Sequence, residues 1–101
     1  MHTFDVITWE DNLSDGSICY GAWCSYVLGV WGQGDTEEEA LADITTAMTD
    51  VIHYPWEDGK SLADPDEATG DMETLMRELA DENVSYRIHR VTISAPEPAS
   101  V

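Results

Sequence analysis

Gly32–Ile44 reads GQGDTEEEALADI, and its reading decides the fold. Glycines before a helix start can cradle a phosphate, but that use needs a cation or a sustained glycine loop, and three successive glutamates would repel the anion. The structural alternative accounts for each residue. Ala40, Leu41, Ile44, Ala47, Met48, Val51 and Ile52 recur at the spacing of one helical stripe. Thr36 stands at the N-cap position, and Glu39, three residues on, completes a reciprocal capping box. Glu37 and Glu38 put negative charge in the first turn, where the helix dipole favours it. Gly34 is then expected to supply a backbone conformation that other residues resist, turning a strand into a helix.

Upstream, Phe4–Glu10 is β-branched and aromatic, and it ends in the turn formers Asp11–Gly16. Ser17–Cys24 predicts a second strand, with Ile18, Tyr20, Ala22 and Cys24 on one face and Cys19, Gly21 and Trp23 on the other. Leu28–Gln33 predicts a third, giving an antiparallel meander. Downstream, His53–Gly70 is rich in Pro, Asp and Gly and reads as a long surface connection with a helical turn near Ser61–Ala63. Met72, Leu75, Met76 and Leu79 space a second, shorter helix over Asp71–Glu82, capped by Thr69 or Asp71. Val84, Tyr86 and Ile88 alternate, then Val91 and Ile93 alternate in the opposite register, which predicts a bulge at His89-Arg90 or two short strands. The expected architecture is α+β: a three-stranded meander and a C-terminal strand in one sheet, packed as two layers against the long helix. One domain spans 1–94, with 95–101 as a flexible tail.

The chain has 101 residues, 21 acidic against 4 basic, for a formal charge of −17 with 43% hydrophobic residues. Four Trp and four Tyr with periodic apolar segments predict a folded core under an acidic coat rather than disorder. Self-repulsion at this charge weakens compaction in dilute buffer and is relieved by salt, so the composition suits a halophilic cytosol. A broad nucleic-acid-binding face is disfavoured, because phosphate affinity comes from Lys and Arg. The one basic spot is Arg87, His89 and Arg90, inside an acid-free run from Val84 to Ser94. No signal segment, long apolar run or lipidation box is evident, so the expected location is cytoplasmic.

No catalytic constellation stands out. Asp5, Glu10, Asp43 and Asp50 could assemble a two-metal nuclease site, but an acid-rich chain produces such pairs by chance. His2, His53 and His89 have no ligand spacing, and Cys19 and Cys24 make no CxxC, so they read as packing residues. No cofactor is expected. Trp23, Tyr26, Trp31, Tyr54 and Trp56 are many bulky rings for one small core, and aromatics are enriched in protein interfaces. Tyr86, Arg87, His89, Arg90, Trp23 and Tyr26 are the candidate partner-binding residues, with the final strand offering a free edge to a partner.

The run Tyr20-x-Ala22, Gly29-Val30-Trp31 and Gln33-Gly34-Asp35-Thr36-x-x-Glu39-Ala40-Leu41-x-x-Ile44 resembles the signature of HicB-like antitoxins over roughly Phe4–Ile52. Ser25 and Leu28 stand where that pattern has prolines. The resemblance implies a partial ribonuclease-H-like fold without catalytic carboxylates, in which Gly29, Gly34, Asp35, Thr36 and Glu39 are structural. It implies a non-enzymatic protein that neutralises a small basic mRNA-cleaving, HicA-like toxin; assembly as a homo-oligomer is expected through sheet edges or the aromatic surface. Many members carry a C-terminal DNA-binding segment, whereas a short Pro-containing stretch follows Ile93 here, so autonomous DNA binding is not expected. Two other readings stay open: a standalone binding module without a toxin, and a metal-dependent nuclease that kept its carboxylates.

Overall fold

The computed structural model describes residues 2–54 and 62–94. Strands β1 (His2–Asn12), β2 (Ile18–Trp23) and β3 (Trp31–Gly34) form the meander. Helices α1 (Glu37–His53) and α2 (Pro65–Asp81) follow, and β4 (Tyr86–Ile93) is the last element among the described residues. All pairings in the single sheet are antiparallel, in the order β3-β2-β1-β4. The last strand thus returns beside the first and forms one edge. The proposed tail 95–101 lies outside the described residues.

The β1–β2 turn is closed by the Leu13 N–H on the Ser17 carbonyl (2.9 Å) and the Gly16 N–H on the Leu13 carbonyl (3.0 Å). Gly16 has φ +88°, where a side chain is strained. Alternation in β1 sends Phe4, Val6 and Thr8 to one face and Ile7 and Trp9 to the other. On the first face, Ala22, Cys24, Ile93 and Val91 meet Ala40, Ile44, Met48, Val51 and Ile52 of α1. Val6, Ile44 and Met48 are completely buried, each side chain contributing about 1.5–3 kcal/mol relative to exposure.

The capping box forms as the sequence requires. Thr36 Oγ1 accepts from the Glu39 N–H at 3.1 Å, and Glu39 Oε2 accepts from the backbone N–H groups of Thr36 (3.2 Å) and Asp35 (2.8 Å). The reason for the glycines differs from expectation. Gly34 is not in the left-handed region; it is needed because a Cβ there would lie 2.5 Å from Glu39 Cβ and 2.8 Å from the Ala40 nitrogen. Gly32 is crowded by α1 in the same way. Gly29, at φ +72°, is the position whose conformation calls for glycine.

Four expectations need correction. The second helix is not shorter: it has 17 residues, like α1, and begins at Pro65 rather than Asp71. Asp64 caps it, accepting from the Asp66 N–H, and Pro65 occupies the first turn, where a missing N–H costs nothing. Gly70, read as the end of a loop, is inside it. It closes in a Schellman motif, with Asn83 at φ +58° and the Val84 N–H on the Leu79 carbonyl at 2.9 Å.

The sheet is also covered on both faces rather than one. Met72 and Leu79 of α2 pack on Ile7 together with Trp9, Trp23 and Tyr86, so the domain has three layers. The final strand carries no bulge: its pairing with β1 runs without a break from His2↔Ile93 to Trp9↔Tyr86. The apparent slip arises because Tyr86 and Ile88 belong to the α2 face and Val91 and Ile93 to the α1 face. Both sides of this strand carry apolar residues, which blurs a period-2 pattern. Finally, the third strand starts at Trp31 instead of Leu28.

The β2–β3 connection is instead tied to the start of α2. Val27 bridges Leu62, the Ala63 N–H donates to the Tyr26 carbonyl at 3.0 Å, and the buried Ser25 hydroxyl donates to the Ala68 carbonyl at 2.6 Å. Ser25 thus makes a bond that proline could not make. Of the helical turn expected at Ser61–Ala63, Ser61 lies outside the described residues and Leu62 is in an extended bridge. Among the described residues, no helix is long and apolar enough to cross a membrane.

Candidate functional site

Two places collect side chains with chemistry to offer. The first is a cleft of about 330 Å³ at the end of the β1–β4 ladder, lined in part by Thr8, Glu10, Tyr20, Glu37 and Arg87. Thr8 is 1% exposed, a polar residue at an inward position of β1. Its hydroxyl donates to Glu37 Oε2 at 3.4 Å, so its oxygen accepts from His89 Nε2 at 3.1 Å. His89 Nε2 also lies 3.5 Å from Glu37 Oε1, and Arg87 Nη1 approaches the same oxygen at 3.5 Å. At the cleft wall the Tyr20 hydroxyl donates to Glu10 Oε1 at 3.1 Å. That bond, with a smaller desolvation effect, pushes the Tyr20 phenol above its ordinary range.

Thr8, His89 and Glu37 bring together a hydroxyl, an imidazole and a carboxylate, the residue types of a nucleophilic triad. The geometry is not that of a triad. In a triad the acid holds one ring nitrogen and the nucleophile the other, whereas here Nε2 alone faces both partners. The hydroxyl is also buried. The group instead ties the first turn of α1 to β1 and β4, with Glu37 placed where the helix dipole favours an anion.

The second place is a groove of about 340 Å³ on the opposite side of the sheet, where Trp9, Trp23 and Trp31 meet Asp71, Thr74, Leu75 and Glu78 of α2. Register builds it. Trp31 is directly across from Trp23, and Trp9 is across from Gly21. A Cβ at Gly21 would lie 2.5 Å from Trp9 Cζ2, so the indole occupies the space that glycine leaves. Trp31 is 70% exposed.

The candidate partner-binding residues therefore divide. Arg87 and His89 are on the α1 side of β4. Tyr86 and Arg90 are on the other, where Arg90 Nε lies 3.8 Å from Asp5 Oδ1. Arg87, His89 and Arg90 do not form one strip, because alternation separates them. Trp23 is in the groove with Trp31. Tyr26 is half-buried in the β2–β3 connection, its hydroxyl 3.2 Å from Thr69 Oγ1.

Comparison of the chain with protein-family models, curated proteins and solved structures found no match. Of the four carboxylates considered for a two-metal site, three have other partners: Asp5 is beside Arg90, Glu10 accepts from Tyr20, and Asp43 Oδ2 accepts from the Gln33 N–H at 3.0 Å. Among the described residues, no group of three or more His, Cys, Asp or Glu side chains could hold a metal ion. Both cysteines are free, Cys24 buried and Cys19 partly so.

Thr8 and Trp9 are not singled out by the sequence, and Glu37 is legible there only as first-turn charge, not as a site residue. A signal existed for Thr8, which interrupts the apolar face of β1. None existed for Glu37, one of three identical neighbours, until the helix phase fixed which of them faces the sheet.

Proposed function

We propose that the protein is a non-enzymatic, acidic binding module of the HicB-like antitoxin type, which neutralises a small basic mRNA-cleaving toxin by covering its RNA-holding surface. The observation that carries this reading is the surface charge. On a chain of formal charge −17, the two arginines of β4 are each answered from within, Arg87 by Glu37 and Arg90 by Asp5. What remains for a partner is predominantly carboxylate. A protein that holds RNA does so through cations that replace the phosphate counterions. An anionic cover competes for those same cations, and charge complementarity speeds its arrival.

The motif residues support the reading by their roles. Thr36, Glu39 and Asp35 shape the start of α1, and Gly34 lets the helix approach β3, so the stretch that carries the resemblance is occupied with structure. Among the described residues β4 is an edge strand, and its outer backbone groups suit assembly of copies into a homo-oligomer, in keeping with a cytoplasmic regulatory protein. The test is co-expression with the products of the reading frames adjacent to this chain's own, a small basic protein being expected among them, followed by purification in high salt. A stoichiometric complex is expected; separate elution at every salt concentration contradicts the proposal.

A further inference from the structure

The tryptophan groove is not needed to cover an RNA-binding surface by charge alone, and its composition is specific. Three neighbouring strands each contribute an indole to the same face, and α2 adds Leu75 and two carboxylates, Asp71 and Glu78. Trp31 contributes little to the core, since it is 70% exposed. We propose that this groove receives an arginine side chain of a basic protein partner, with the guanidinium on the indole faces and its charge balanced by Asp71 and Glu78. That the partner is a basic protein rests on the neutralising role proposed above; the groove's preference for a cation rests on its own lining.

The choice of occupant follows from charge and shape. Indole is the strongest of the aromatic faces for a cation. Guanidinium is planar and more weakly hydrated than ammonium, so it stacks at smaller desolvation cost than lysine. A phosphate or nucleic-acid strand would meet the two carboxylates and the net charge of −17. A second copy of this chain carries that same charge, which opposes its approach; its β4 arginines already lie beside Glu37 and Asp5, and its exposed Arg77 stands among the acids Glu73, Glu78 and Asp81 of α2.

The test uses a fluorescent decapeptide alternating arginine and serine, and its lysine counterpart, titrated by anisotropy in about 0.1 M and about 1 M KCl, where the Debye length falls from roughly 10 Å to 3 Å. Trp31→Ala leaves the charge unchanged and is expected to weaken the arginine peptide about tenfold, with the difference persisting in high salt. Glu78→Gln is expected to weaken it more than Glu38→Gln, which removes the same charge from α1. The arginine peptide is expected to bind more tightly than the lysine peptide. Equal affinity for wild type and Trp31→Ala, together with equal effects of Glu78→Gln and Glu38→Gln, overturns the groove and leaves the charge-based cover intact. Absence of binding in low salt also overturns it. Binding through Trp31 by a protein that fails to suppress the toxin's RNA cleavage removes the neutralising role and leaves the groove.

Discussion

Gly32 of β3 lies so close to α1 that a Cβ on it would stand 2.6 Å from the Ala40 carbonyl oxygen and 2.6 Å from the Ile44 nitrogen. Both neighbours are backbone atoms and cannot swing aside, so at this position the strand places no side chain of its own between itself and the helix. Gly32→Ala is expected to lower stability by about 1–3 kcal/mol, the usual cost of forcing a group into packed space. Gly70 is the counterpart, inside α2 with nothing within 4 Å of where its Cβ would be apart from its chain neighbours and its own helix backbone. Gly70→Ala is expected to raise stability by about 0.5–1 kcal/mol, through the entropy glycine loses in a helix. Urea midpoints of the two variants test this, and shifts of the same sign would contradict the packing described here.

Burial raises the Cys24 thiol above its usual 9.0, with backbone hydrogen bonds from Tyr26 and Val27 acting the other way. A group whose pKa is higher in the folded state gives stability that is complete below the unfolded value and lost as pH rises toward the folded one. The wild type is therefore expected to lose stability from about pH 9 upward, and Cys24→Ala to lose less over that interval. The phenol of Tyr20 acts with the same sign at higher pH, so only the difference between the two proteins isolates Cys24. Thiol labelling under native conditions should show one accessible cysteine, Cys19, and one protected until unfolding. Identical alkaline limbs in the thermal melts would remove this assignment.

With 21 acidic and 4 basic residues, the folded state compresses like charges that the unfolded chain keeps apart. Raising KCl from low concentration to about 1 M shortens the Debye length to about 3 Å, and the melting temperature is expected to rise with it. Most of the gain should be complete once screening reaches the spacing between neighbouring carboxylates. A melting temperature that stays flat or falls would mean that the ion pairs at Glu37 and Asp5 outweigh the repulsion.

Much of this fold was legible because its signals are local. Thr36 and Glu39 are three residues apart, and the stripe from Ala40 to Ile52 repeats with one period, so α1 could be read from its own residues. The start of α2 was missed because Pro65 and Gly70 read as breakers, although proline in a first turn is favourable and an exposed glycine is tolerated. The third layer has a separate cause: Met72 and Leu79, which cover Ile7, are on the helix expected from sequence, but the face of the sheet it packs on depends on its tie to the β2–β3 connection through Ser25 and Tyr26, which is not local in sequence. The site was less legible than the fold. Thr8, Glu37 and His89 are far apart in the chain and meet only through the β1–β4 register and the phase of α1. The tryptophan groove likewise depends on which residues of β1, β2 and β3 stand opposite one another, which composition does not reveal.

The most direct measurement is RNA cleavage by the small basic toxin that the proposal expects from an adjacent reading frame, with the acidic protein titrated in at physiological salt. The account predicts that cleavage falls linearly and stops at a fixed stoichiometric ratio, with no RNA cleavage by the acidic protein alone in the presence of Mg²⁺ or Mn²⁺. Undiminished cleavage at saturating acidic protein, or metal-dependent cleavage by the acidic protein itself, would contradict it.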